Sequence, residues 1–151
     1  MTDSSSDMIS AKSCRGAAKL FNYGNIVVIT IAGTPLVLGV NQTGPALIFA
    51  TVIAIVPLVL WFGGSMLLYA LNRHHPNERV GYYTQWAAYR FYALLGTLIV
   101  VGTFFPPEIF YFMIYWIITA AIIIPWSIWD IIRINREEWH DTPRPPRTHH
   151  G

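Results

Sequence analysis

From Ala46 to Leu71 the chain carries no Asp, Glu, Lys, Arg or His. A helix on the surface of a soluble protein needs a polar face, and this run offers none. A bilayer core of about 30 Å needs roughly 20 apolar residues in helical form, which the run supplies with length to spare. Its hydrophobicity is continuous and does not alternate, so it does not read as a strand of a membrane β-barrel. Three further apolar stretches repeat the pattern, and the expected spans are about 23–40, 46–71, 86–105 and 108–132. The fold expected is all-α: four transmembrane helices in a bundle, arranged as two tandem hairpins.

Composition agrees. Charged residues make up 12% of the chain, against about 25% in ordinary soluble domains. All ten Lys and Arg fall before the first span, from the second loop into the start of the third span, or from the end of the fourth span onward. The turns Asn41–Pro45 and Pro106–Glu108 contain none. The positive-inside rule then places both termini and the central loop in the cytoplasm, in an inner membrane. A net charge of +2 gives no footprint for nucleic acid. Cys14 is the single cysteine, so no internal disulfide is available.

Residues 1–22 read as a cytoplasmic segment. Within it residues 11–22 read either as a short amphipathic stretch, Lys12, Arg15 and Lys19 opposite Cys14, Ala17, Ala18 and Phe21, suited to lying in the interface before the first span, or as a basic juxtamembrane flank without defined structure. Residues 134–151 read as a Pro- and Arg-rich tail. Its prolines favour an extended conformation that does not add to the bundle's packing and that fits a groove of a cytoplasmic partner. At an offset of 63 residues, Gly33-Thr34 matches Gly96-Thr97, Gly39 matches Gly102, and Asn72-Arg73 matches Asn135-Arg136. A duplicated hairpin would leave such a spacing.

Chemistry is sparse. All five His lie outside the expected spans, so neither a membrane haem nor another cofactor is expected. His74 and His75 are adjacent, point in different directions, and suit a helix-ending loop better than a metal site. The ionisable residues near the membrane are Arg90, placed to snorkel, Asp130 and Arg133, spaced to pair on one helix face, and Glu108, placed to cap the fourth span. Pro35, Pro57 and Pro125 read as packing kinks, and Ala50/Ala54 as a small-residue surface for a close helix neighbour. Asn41-Gln42-Thr43 fits a glycosylation pattern but sits too close to the membrane to count. No catalytic motif is found.

Arg73, His74, His75, Arg79, Arg90, Asp130, Arg133, Arg136, Arg144 and Arg147 are therefore candidate contacts to partners or lipids, with no catalytic, cofactor or metal residue assigned. Two short elements, Arg15-Gly16-Ala17-Ala18 before the first hairpin and His75-Pro76 with Arg79 after it, resemble the small inner-membrane-platform subunit of type IV secretion (conjugation) machines. The resemblance covers residues 12–92 at most, and the last two spans extend beyond that family's two-helix plan. It implies a scaffold that meets a cytoplasmic secretion ATPase. The function expected is a non-catalytic membrane subunit of a multi-protein complex, either a respiratory or photosynthetic accessory subunit or a secretion platform. A small solute transporter, or its membrane subunit, is the alternative.

The orientation is directly testable. Cysteines introduced at Thr43 and Glu108 should react with an impermeant thiol reagent from outside the cell, and one at Asn77 should not. External labelling at Asn77 would overturn the assignment.

Overall fold

The computed structural model describes residues 8–38, 43–106 and 108–144. Four long helices dominate: α1 (Ala11–Leu38), α2 (Pro45–Arg73), α3 (Glu78–Phe104) and α4 (Ile109–Arg136). Two short strands, β1 (Met8–Ile9) and β2 (Thr142–Pro143), pair antiparallel, with Met8 opposite Pro143 and Ile9 opposite Thr142. Helices α2, α3 and α4 are each long and apolar enough to cross a membrane, which marks the chain as a helical membrane protein. Helix α1 is mixed. Its second half is largely apolar after Asn25, but its first half holds Lys12, Arg15, Lys19 and Asn22.

The helix ends follow their sequence punctuation. Pro45 sits in the first turn of α2 after Gly44, whose φ of 61° favours glycine. The Asn77 side chain accepts the Arg79 N–H at 3.1 Å and caps α3, as Asn does well. Phe105 is extended, the conformation required before Pro106. Glu108 occupies the cap position of α4 but makes no side-chain cap hydrogen bond. Arg133 and Arg136 lie in the last turn of α4, where the helix dipole favours cations. The expected end of the first span at Val40, the turn residues Asn41 and Gln42, Gly39 and Pro107 lie outside the described residues.

Two expectations need correction. Residues 11–22 are not a separate interfacial segment, because Ala11–Leu38 is one continuous helix. Its face Cys14, Ala18 and Phe21 continues into Asn25, Val28, Ile29 and Ala32, all of them buried. The basic stretch is thus the first turns of the helix that packs against each of the other three. The second correction concerns the tail, which adds to the packing. Trp139 is buried with Cys14, Ala18, Val80, Tyr83 and Ile134, and Thr142–Pro143 forms β2.

Two tryptophans fix α1 at the centre. Trp61 of α2 lies against Gly24, and Trp116 of α4 against Gly33, so close that an added Cβ would fall 1.9 Å and 2.1 Å from indole atoms. Each indole N–H also bonds to α1: Trp61 Nε1 donates to Asn25 Oδ1 and Trp116 Nε1 to the Ile29 carbonyl, both at 3.0 Å. Phe21 packs edge-on against Trp61, Phe91 and Tyr92, so α1, α2 and α3 meet in one aromatic cluster. By contrast only Ala54, Ser65 and Asn72 are buried on α2. Its outward Ile48, Phe49, Leu60, Leu67 and Leu71 are apolar, as a lipid-facing helix requires.

Gly33→Ala should therefore lower stability by about 1–3 kcal/mol through overpacking. Gly96→Ala, where a Cβ meets nothing within 4 Å, should be neutral or stabilising by up to about 1 kcal/mol from helix propensity. Detergent unfolding curves of the two variants provide the check, and indistinguishable curves would refute the indole contact.

Candidate functional site: the basic end of the bundle

The starts of α1 and α3, the ends of α2 and α4, and the tail converge at one end. Here the tail is tied down by polar contacts of different kinds. Asp141 Oδ1 accepts the Ala11 N–H at 2.7 Å, placing a carboxylate at the start of α1 where the helix dipole favours it. The Thr142 hydroxyl accepts from Asn77 Nδ2 at 3.0 Å, and the Trp139 indole N–H donates to the Ile134 carbonyl at 2.8 Å. Arg79 donates to the Glu138 carbonyl at 2.7 Å and stands 3.8 Å from the Glu137 carboxylate. That carboxylate also accepts the Tyr83 hydroxyl. Asn72 Nδ2 donates to the Ala17 carbonyl at 3.3 Å and the Thr84 hydroxyl at 3.2 Å, joining the ends of α2 and α1 to α3.

Deeper in the bundle a polar layer crosses all four helices. Asn25 donates to the Ala87 carbonyl at 3.3 Å while accepting from Trp61. Ser65, one turn beyond Trp61, shares a 3.0 Å hydrogen bond with the Tyr92 hydroxyl. Two residues before Tyr92, Arg90 pairs with Asp130 of α4. Asn22, one turn from Asn25, buries both amide atoms without a hydrogen-bond partner. Side chains of Asn, Ser and Tyr that bond across helices hold membrane bundles together, and this layer supplies that glue near the middle of α1.

The pairing of Arg90 with Asp130 corrects the expected Asp130–Arg133 pair. The side chains of Arg90 and Asp130 are only 15% and 6% exposed. Arg90 also donates to the Trp86 carbonyl at 3.1 Å and lies 5.0 Å from the Trp126 ring centre, so its charge is held inside the bundle and not snorkelled outward. Arg133 instead stands over the Tyr83 ring at 5.8 Å. A bidentate-capable guanidinium from the facing helix satisfies a buried carboxylate better than an exposed neighbour on the same helix.

The remaining candidates divide by role. Arg73 lies over the Tyr69 ring at 5.8 Å, and His74 ends α2 through its backbone N–H to the Asn72 carbonyl. His75 Nδ1 accepts the Asn77 N–H at 3.1 Å, and burial pushes its imidazole below the ordinary histidine range. These loop residues shape the turn into α3. Arg136 and Arg144 are exposed, and Arg147 lies outside the described residues. Sequence reasoning missed Asn25, Asn72, Asn77, Tyr83, Trp61, Trp116 and Asp141. The signal available for the first was an Asn pair, Asn22 and Asn25, at helical spacing inside a span.

No family model, no curated protein and no solved structure matches the chain.

Removing one partner of a buried ion pair strands the other charge. Asp130→Ala should therefore lower stability by roughly 3–5 kcal/mol, while the double replacement Arg90→Leu with Asp130→Leu should cost far less. A double-mutant cycle on detergent unfolding measures this. Additive single and double effects would show that the two groups do not act as a pair.

Proposed function

We propose that this chain is a non-catalytic integral membrane subunit of a multi-protein inner-membrane complex, whose bundle is completed by apolar helices of neighbouring subunits. The observation that supports the reading is the second half of α3. From Tyr92 to Phe104 no residue of that helix is buried. It stands away from α2 across an open groove of about 530 Å3, lined by Leu58, Phe62, Met66, Leu95, Gly96 and Ile99. The first half of the same helix, in contrast, buries Val80, Tyr83, Thr84, Ala87, Ala88 and Phe91. The bundle is thus tightly built at its basic end and open toward the other.

Between helices in lipid there is no hydrophobic driving force, and association rests on close packing at small residues. Gly96 offers such a surface, with nothing within 4 Å of an added Cβ. An apolar helix fits the groove, whose walls present mainly side chains that gain from dispersion contacts. Accessory subunits of respiratory or photosynthetic complexes and platform subunits of secretion machines are the host classes that suit a chain of this design. The resemblance of Arg15–Ala18 and His75–Arg79 favours the second. The first of them is bonded to the end of α2, where Asn72 donates to the Ala17 carbonyl.

Purification of the tagged chain in mild detergent should recover a stoichiometric membrane partner. Gly96→Leu should fill the groove and lower the partner's recovery severalfold with no loss of thermal stability, because leucine is the better helix former. Elution as a lone species that a small solute stabilises against heat would overturn the proposal in favour of transport.

A further inference from the structure

The outer face of α4 presents a graded stripe that lies largely outside the bundle's packing. Ile122, Pro125, Trp126, Trp129 and Arg133 recur at the three- and four-residue spacing of one helix face, and with Ala121 they line a shallow, open groove formed by α4 alone. From Ile122 to Arg133 the helix rises about 16 Å, close to the thickness of one leaflet's hydrocarbon, about 15 Å. The order along the groove is apolar, then indole, then guanidinium. A phospholipid has the same order along its length: acyl chain, glycerol region, phosphate.

Charge supplies the second argument. Among the described residues Arg133 faces the Tyr83 ring and no carboxylate. Asp130, one turn away, is engaged by Arg90, and Glu137 by Tyr83 and Arg79. Arg133 is exposed at the rim. Trp126 is steadied by the Arg90 guanidinium stacked on its ring, so one wall of the groove is held in place before anything binds. Pro125 has no N–H to give the Ala121 carbonyl, and the groove runs along this interruption.

We propose that this groove binds one anionic phospholipid of the leaflet at the basic end. Its phosphate sits on Arg133, its glycerol region lies between the Trp126 and Trp129 indoles, and an acyl chain runs along Pro125, Ile122 and Ala121. The proposal rests on membrane embedding alone and not on a partner subunit, so it stands or falls separately from the copurification experiment above.

The test uses the full chain in phosphatidylcholine vesicles doped with acyl-brominated phosphatidylglycerol or, at equal fraction, acyl-brominated phosphatidylcholine. Tryptophan fluorescence is read. The brominated anionic lipid should quench more strongly, and the excess should vanish in the Trp126→Phe, Trp129→Phe double variant. Arg133→Gln should reduce the preference about fivefold, the equivalent of one arginine near an anionic surface. Arg133→Lys should retain most of it, and Arg136→Gln, one turn beyond the groove, should leave it unchanged. Equal quenching by the two lipids overturns the proposal. So does an equal loss in Arg133→Gln and Arg136→Gln, the mark of diffuse attraction to a charged surface.

Discussion

A helix in lipid gains little from burying leucine against leucine, because the lipid tails are equally apolar. What holds this bundle together is therefore close approach and hydrogen bonding, and both concentrate where an indole lies on a glycine of α1. Trp61 over Gly24 and Trp116 over Gly33 each bring a large planar surface onto bare backbone. Each also satisfies its N–H on the same helix, at Asn25 and at Ile29. An indole in lipid with its N–H unpaired would be costly. The rest of the arrangement depends on these two contacts, for they bring α2 and α4 onto α1, and α3 joins through Ala87, Ala88 and Phe91.

That requirement explains why a helix with buried asparagines is the central one. Asn22 and Asn25 would be expensive against lipid, and both are buried inside the bundle. The price of this choice is visible at Asn22, whose amide is buried and unpaired. At the basic end the same logic uses the tail. Asp141 meets the exposed donors at the start of α1, and Thr142 and Trp139 close over Cys14 and Ala18. The start of α1 and residues 139–142 thereby share one small unit with the loop between α2 and α3.

The long apolar runs were legible because a bilayer imposes length and polarity on every segment that crosses it. Helices α2 and α4 begin within a residue of the expected starts, 46 and 108. Helix α3 begins at Glu78, before the expected 86, because capping by Asn77 extends the helix beyond its apolar part. The unity of α1 was hidden because charge, not backbone, changes near residue 22. Partner choice was hidden for a different reason. Asp130 and Arg133 are neighbours in sequence, whereas the pairing with Arg90 depends on how α3 and α4 face each other. The tail misled because prolines beyond Thr142 suggested an extended segment, while Trp139 and Asp141 hold its start against the bundle. The matched glycines carry a similar lesson. Gly33 lies under Trp116 while Gly96 is open, so equal spacing in the two halves does not give equal surroundings.

The two outward faces of the bundle ask for different neighbours. The second half of α3 is apolar along its length and has a bare glycine, Gly96, at the groove it shares with α2. Such a surface rewards a rigid helix that can approach the backbone closely. The outer face of α4 instead changes character within three turns, from Ile122 through Trp126 and Trp129 to Arg133. A transmembrane helix packed there would have to match indole and guanidinium with polar groups of its own. A lipid carries the matching sequence of chemistry in every molecule and needs no such specialisation. The two proposals together would set the chain at a boundary, with protein against α3 and bilayer against α4.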